Sequence, residues 1–415
     1  MAIVRPFKGI RPSEKFAEKV ISLPYDVMNR EEAKNMAEGN PYSFLHICRS
    51  EIDLSDDINP YDEKVYEKAG CNIDKFLDDG VLIKEQQPVI YIYRQVMNGR
   101  TQTGIVACVS IDEYLNNTIK RHELTRVEKE QDRINHFYVC NANTEPVFLT
   151  YRDNLKIRSI IEGIAENSEP EYDIVSDDGI RHILWVLSKA QYEPIITLFD
   201  DVDNLYIADG HHRSASAVKV GLRKREEIKK FTGDEEFNYF MAAIFPDNDL
   251  KIFDYNRVIK DLNGYSKEEF IAKIKAAGFA VEKVEDDEIR PRETHEFSMF
   301  LDDEWYRVMI KNHDLIDNDD PVKSLDVYIL QDRILGPVLG IEDPRTDKRI
   351  DFVGGIRGFE ELERRTHKDM KVAFAVYPVS TEELLKVADE GKIMPPKSTW
   401  FEPKLGSGLF LHTLD

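Results

Sequence analysis

At 415 residues, 42% of them hydrophobic, the chain can bury a sizeable core and is long enough for roughly two or three domains. Its 78 Asp and Glu outweigh 56 Lys and Arg to a net charge of −22, which repels nucleic acid and anionic membrane at long range and requires any anion site to be built locally. The four cysteines, Cys48, Cys71, Cys108 and Cys140, form no C-x-x-C pair, and neither a signal-like N-terminus nor an uninterrupted apolar run of about 18 residues occurs; the expectation is a cytoplasmic protein with reduced thiols.

In chain order, an apolar stretch stops at Pro24, and Tyr25 and Asp26 form a strand end or loop ahead of a helix. Asn29 and Glu32 make a capping box if that helix starts at Arg30. A helical pattern follows near 62–79, and PVIYIYRQV and TGIVACVSI flank NGRTQ as the strands of a hairpin turned by Asn98 and Gly99. IKRHELTRVEKEQDR is charged and partly helical, with Arg126, Glu130 and Arg133 on one face, and leads into the strand-like EPVFLTY. YDIVS and HILWVLS add strands. PIITLFDDVDNLYIADGHHRSASAVKVGL reads as strand, short turn and helix, with Gly221 near the helix end. FNYFMAAIFPD reads as a buried strand, and SKEEFIAKIKAAGFAVEKV as a helix capped by Ser266 and stopped by glycine before another strand. The last third holds a helical SLDVYILQDRILGPVLGI, the glycine-rich DFVGGIRG, the apolar VAFAVYPV and a Pro-rich tail. The mixture predicts an α/β fold of mixed α+β character. Composition shifts divide it into an N-terminal α/β region (1–115), a core carrying the Asp-Gly-His-His-Arg turn (116–260) and a C-terminal α/β region (261–415) that completes the site.

The densest chemistry lies in YIADGHHRSASA, residues 206–217. Gly210 permits a backbone conformation closed to other residues, and the helix after it turns a positive dipole end toward an anion. Arg213 can hold two phosphate or carboxylate oxygens at once, with Ser214 beside it. Asp209 can bind a metal ion or orient a histidine, and His211 or His212 can move a proton near neutral pH. The same package also fits a capped helix with surface histidines. Upstream, His122 and Glu123 precede the charged helix, where loop side chains can point into a site: Glu123 as general base or metal ligand, His122 as a phosphate contact. Tyr25 and Asp26 are candidates to line the same cleft. Arg357 in GGIRG, and Lys397, Ser398 and Thr399 in PPKSTWFEPK together with Lys404, have the components of an anion cradle without the P-loop spacing.

The runs IRPSEKFAEKVISLPYDV, KRHELTRVEKEQDRINHFY, EPVFLTY, YIADGHHRSASA, YNRVI, DFVGG and MPPKSTWFEPKLGSGLF together resemble the bacterial and archaeal family called domain of unknown function 1015. More remotely, DGHHRSASA resembles the glycine and arginine signature at a strand-to-helix turn of the ParB and sulfiredoxin superfamily, especially the Asp-Gly-His-x-Arg form of its archaeal free-serine kinases. That resemblance implies a ParB/sulfiredoxin-like core with additional mixed-sheet regions. It puts Asp209, Gly210, His211 and Arg213 at the phosphate-side positions. The sulfiredoxin signature carries a cysteine where this chain has His211, which argues against redox chemistry. No stretch carries over a catalytic glutamate, so Glu123 stands on its chemistry alone.

The expected function is phosphoryl transfer on a small hydroxylated metabolite. The family resemblance points to serine or phosphoserine, with a nucleotide such as ATP or ADP, or another phosphate donor, and Mg2+ held at Asp209. A phosphoserine-type phosphatase would use much the same groups. A ParB-like nucleotide-binding regulator without metabolic activity is the third reading, weakened by the acidic charge and the lack of an evident helix-turn-helix. The partner is a small phosphorylated metabolite or nucleotide, not nucleic acid or membrane, and the reading leaves room for a homodimer.

Overall fold

Ile90–Met97 and Arg100–Ser110 are rich in β-branched and aromatic residues and pair as an antiparallel hairpin. Its turn residues Asn98 and Gly99 take φ of 51° and 77°, the left-handed conformation that an Asn-Gly turn supplies. The computed structural model describes residues 2–285 and 289–415. They divide into two units: Met1–Arg121, Thr125–Leu250 and Pro403–Asp415 in the first, His122–Leu124 and Lys251–Glu402 in the second.

In the first unit the hairpin lies within a nine-stranded sheet. From one edge the order is Ile119–Lys120, Leu205–Asp209, Val147–Tyr151, Tyr239–Pro246, Arg100–Ser110, Ile90–Met97, Arg181–Leu187 and Tyr172–Val175, with Val4–Arg5 added against Arg100–Ser110. Pairing is parallel between Leu205–Asp209 and Ile119–Lys120 and between Tyr239–Pro246 and Val147–Tyr151, and antiparallel elsewhere. The central strands are buried on both faces, so they read as near-continuous apolar runs, and Ile105, Ala107, Leu149, Ile207 and Ile244 are fully buried in the core.

The helix Arg30–Ala37 carries the expected capping box of Asn29 and Glu32, and Glu63–Asp78 and Val127–Val139 form as expected. Tyr25–Val27 is one turn of 3₁₀ helix rather than a strand end.

Two expectations are corrected. PIITLF is not a strand but the end of the helix Lys189–Phe199, which Ser188 and Gln191 open with a capping box; the strand begins only at Leu205. Short apolar runs do not distinguish buried strand from buried helix. Gly221 lies inside the helix His211–Ile228, not near its end. There a Cβ would come within 2.4 Å of the Phe237 carbonyl oxygen, so glycine serves close packing and not termination.

In the second unit an antiparallel six-stranded sheet runs Phe279–Lys283, Glu304–Ile310, Glu296–Leu301, Val372–Val376, Tyr255–Ile259 and Ile350–Gly354. Phe359–Lys368 covers one face through Phe359 and Leu362 against Val258, Trp305 and Ala373. Lys267–Ala276 has its Ser266–Glu269 capping box and ends at Gly278, φ 99°. SLDVYIL forms the helix Asp326–Leu330, which widens to a π-helical turn over Gln331–Leu335. The mixed α/β architecture is thus the expected one.

Candidate functional site

The strand Leu205–Asp209 is buried through Ala208, and its register against Val147–Tyr151 slips between Ile207 and Asp209. Such an irregularity re-aims a side chain at a strand end. Gly210 follows at φ 89°, and a Cβ there would lie 2.9 Å from Arg213 Nε. Backbone conformation and crowding therefore both select glycine. The 18-residue helix His211–Ile228 begins directly after it, with Ser214 N–H donating to the Gly210 carbonyl at 2.9 Å and no side chain capping the start. Its positive dipole end lies at the turn.

Arg213 is 2% exposed and folds back against Gly210. Nη1 donates to the Pro146 carbonyl at 2.7 Å and Nη2 to Asp209 Oδ2 at 3.4 Å, while Nε has no hydrogen-bond partner. The bidentate grip expected of this arginine is therefore largely engaged by the protein: it ties the end of one strand to the entry of the next. Burial opposes its charge, but Asp209, Asp26, Glu145 and Tyr25 outweigh burial and raise its pKa.

A second cation reaches Asp209 from the tail: Lys404 Nζ stands 3.5 Å from Oδ2. Burial opposes ionisation of Asp209. Lys404, Arg213 and His211, with the Gly210 backbone N–H, prevail and hold the carboxyl below the usual carboxylate range. The tail is itself fixed, because Gln95 Nε2 donates to the Lys404 carbonyl at 2.8 Å and Gly406 N–H donates to Tyr93 Oη at 3.2 Å.

Behind the turn lies a buried polar cluster. Glu145 is 1% exposed; Oε1 accepts the Ser407 hydroxyl and Oε2 has no partner. Burial raises its pKa despite Arg213, the Ser407 bond and Arg133, and Asp26 adds to the rise. Arg133 donates from Nε and Nη2 to Asp132 Oδ2, leaves Nη1 without a partner, and lies 4.0 Å over the Tyr25 ring. Arg49 holds the Tyr25–Val27 turn by donating Nη1 to the carbonyls of Tyr25 and Met28 at 3.0 and 3.1 Å. Tyr25 is buried and Asp26 exposed. Burial, then Asp26, raises the Tyr25 pKa against Arg133 and Arg213. Glu145 Oε2, Arg133 Nη1, Arg213 Nε and Thr144 Oγ1 are thus buried polar atoms in one neighbourhood without hydrogen-bond partners among the described residues. Native folds rarely leave such groups unmet except where a ligand or water meets them.

Of the expected residues, the structure gathers Tyr25, Asp26, Asp209, Gly210, His211 and Arg213 in this cluster. Ser214 is fully buried, and its hydroxyl donates to the Gly210 carbonyl at 3.1 Å. His212 Nε2 accepts the backbone N–H of Arg126 at 2.9 Å, which commits one of its two ring nitrogens to joining the starts of two helices. His122, Glu123, Arg357, Lys397, Ser398 and Thr399 belong to the second unit. There the His122 carbonyl accepts Met394 N–H at 2.9 Å, Ser398 Oγ donates to the Pro395 carbonyl at 2.6 Å, Lys397 lies over the Tyr255 ring, and Arg357 is exposed. Among the described residues no group of three or more His, Cys, Asp or Glu could hold a metal. Asp209, already facing two cations, offers at most one carboxylate to a magnesium ion held chiefly by phosphate and water oxygens.

Glu145 was missed at the sequence level. A glutamate opening an otherwise apolar strand, followed by proline, is the signal that could have found it. Arg133 looked like one charge on a solvated face, yet it is buried together with Glu130, Asp132 and His136 of the same helix.

No curated protein matches the chain. Similar solved structures include a conserved hypothetical protein from Pyrococcus furiosus, at 15% identity over 73% of this chain and 95% of that one, TM-score 0.34. A free serine kinase variant in complex with AMP is similar at 13% identity over 73% and 92%, TM-score 0.36. SbnI with a C-terminal truncation, from Staphylococcus aureus, is similar at 11% identity over 74% and 87%, TM-score 0.40. Likeness at these scores carries no argument about the site, which rests on its own side chains. The family model described as "Protein of unknown function (DUF1015)" matches residues 4–328, and the chain belongs to that family.

Proposed function

We propose that the first unit transfers a phosphoryl group between a nucleotide, or another phosphate donor, and the hydroxyl of a small metabolite at the Asp209–Arg213 turn. One observation carries this reading: a helix dipole end, Lys404 and Arg213 converge on the ionised Asp209, beside a cluster of buried polar atoms that lack partners. Phosphoryl transfer needs positioning and positive charge more than a covalent nucleophile. Lys404 and the helix end would meet the phosphoryl oxygens. Arg213 would stabilise them from below while holding the turn in shape. The substrate hydroxyl oxygen forms the new bond to phosphorus, the donor's bridging oxygen leaves with its electron pair, and the hydroxyl proton passes to a carboxylate. In this unit Glu145 and Asp26 are the carboxylates beside Arg213 suited to take it. Magnesium, where bound, would neutralise phosphate charge with Asp209 as its protein ligand.

The test is phosphorus NMR of the full chain with magnesium, offered ATP and serine, and separately ADP, pyrophosphate and phosphoserine. A growing or vanishing phosphomonoester signal is expected. It should fall by roughly a hundredfold or more in Arg213→Ala, as for loss of a donor that stabilises the transferring group. Release of inorganic phosphate from phosphoserine alone would make the activity hydrolytic. Neither turnover nor binding of any of these compounds would end the proposal.

A further inference from the structure

Among the described residues four arginines are more than nine-tenths buried: Arg11, Arg133, Arg213 and Arg257. Three have carboxylates. Arg11 meets Glu85 and Glu171 at 2.5 and 2.8 Å, Arg133 meets Asp132 at 2.9 Å, and Arg213 meets Asp209 at 3.4 Å. Arg257 has none. It occupies the middle of Tyr255–Ile259, a strand paired on both sides, opposite Phe352 and Phe374. Its one hydrogen bond among the described residues runs from Nη1 to the Tyr255 carbonyl, two residues back in its own strand. A buried charge without a counter-charge is among the most costly groups a fold can carry, and a ligand of opposite sign removes that cost.

The surroundings of Arg257 define what such a ligand would look like. The guanidinium lies 5.5 Å from the centre of the Phe352 ring. Tyr255 meets Phe352 and Trp400 edge to face at 5.9 and 5.2 Å. The Trp400 indole lies so close over Gly354, the partner of Tyr255 across the strands, that a Cβ would come within 2.7 Å of the ring. Lys397 places its ammonium 5.3 Å over the same Tyr255 ring, a second positive charge at an exposed position. We propose that this part of the second unit binds a small organic anion, whose carboxylate or phosphate group meets Arg257 and Lys397 and whose apolar body lies against Tyr255, Phe352 and Trp400. The protonation of the four arginines agrees. Burial depresses Arg257 to about 10, with Tyr255 alone opposing among the described residues, whereas neighbouring acids raise the other three. None of these residues belongs to the Asp209 turn, so the site stands or falls separately from the phosphoryl-transfer reading.

The test uses the full chain and four probes at matched ionic strength: inorganic phosphate, phenyl phosphate, benzoate and the neutral benzyl alcohol. Calorimetry and thermal unfolding should show binding of phenyl phosphate or benzoate, at least tenfold tighter than inorganic phosphate or benzyl alcohol. Which of the two binds tells phosphate from carboxylate. Arg257→Met should abolish the anion-dependent rise in Tm while keeping or raising the Tm measured without anion, because it removes an uncompensated charge. A structural arginine would behave in the opposite way, with Tm falling in anion-free buffer and the anion shift unchanged, and that result would overturn the proposal. Lys397→Met, at an exposed position where folding is not at risk, should weaken binding severalfold. No binding of either organic anion by the unaltered protein at millimolar concentration would also overturn it.

Discussion

Asp209-Gly210-His211-His212-Arg213 in the first unit and Gly354-Gly355-Ile356-Arg357-Gly358 in the second both set glycine and arginine around the start of a helix. In the first, the arginine is the third residue of a long helix, is almost wholly buried, and returns to the glycine that precedes it. In the second, Arg357 lies in a single 3₁₀ turn and is exposed, and the glycine face is filled from within: a Cβ on Gly355 would lie 2.1 Å from Asp254 Oδ1. One turn draws two cations onto a carboxylate and keeps it ionised; the other packs backbone onto a carboxyl that burial keeps above its usual range. The glycines and arginines are alike in composition. What differs is where the arginine falls relative to the helix start, and that decides which turn can attract an anion.

The largest break in this comparison should come from truncating the two arginines. Arg213→Ala strands the Pro146 carbonyl and takes from Asp209 one of the cations that hold it ionised, a loss of about 3 kcal/mol in urea unfolding. Arg357→Ala should stay within about 0.5 kcal/mol, as at most exposed positions. Equal losses would mean that burial of the first arginine does not matter. Next, Gly210→Ala should cost about 2 kcal/mol, combining left-handed strain with collision against Arg213 Nε. Gly39→Ala, also at positive φ but with nothing within 4 Å, isolates the strain alone and should cost about half as much.

Much of the fold was legible because its signals are local. Capping boxes at Asn29 and Ser266 and the Asn98–Gly99 turn fix their elements through neighbours three residues away or fewer. PIITLF failed because an apolar run without alternation suits a buried helix as well as a strand. The turn itself was also legible, since Gly210 and Arg213 constrain each other across one helical turn. Its environment was not. Glu145, Arg133, Lys404 and the Tyr93–Gln95 brace come from segments far apart in sequence, and nothing in a charged residue's own neighbours tells whether it will be buried. Conversely Ser214 has the right type and place for a phosphate contact, yet its hydroxyl has a nearer acceptor in the Gly210 carbonyl.

A subtler contrast lies inside the first unit, between its two carboxyls of opposite habit. Glu145 holds its proton above the ordinary range, so in folded protein the ionised form is penalised: stability from this group is full below the unfolded value near pH 4.3 and is lost as pH rises through the folded value. Glu145→Gln imitates the protonated form. It should match the parent protein at pH 4 and exceed it at pH 8 by on the order of 1 kcal/mol, while removing whatever proton transfer Glu145 performs. A variant less stable than the parent at pH 8 would show that the ionised carboxylate is needed by Arg213 and Arg133.

Asp209 should give the mirror image, and the smallest effect. Its folded pKa is depressed, Lys404 being the first of the favourable causes, so its contribution is present above the unfolded value near 3.9 and is lost as pH falls toward the folded one. Lys404→Met removes that cause but leaves Arg213, His211 and the Gly210 N–H in place. At pH 7 the variant should be weaker by at most about 1 kcal/mol, because the Asp209 side chain is 32% exposed and water screens the pair. Folded Asp209 stays ionised well below pH 4, so the gap should hold there and narrow only as pH falls through the folded values of the two proteins, measured as the difference in urea midpoints. A gap that never narrows, even at the acid end of the folded range, would assign Lys404 a packing role in the tail and leave Arg213 as the cation that keeps Asp209 ionised. A gap that closes, with phosphate or nucleotide binding weakened in the same variant, would make Asp209 the residue that holds Lys404 ready for an incoming anion.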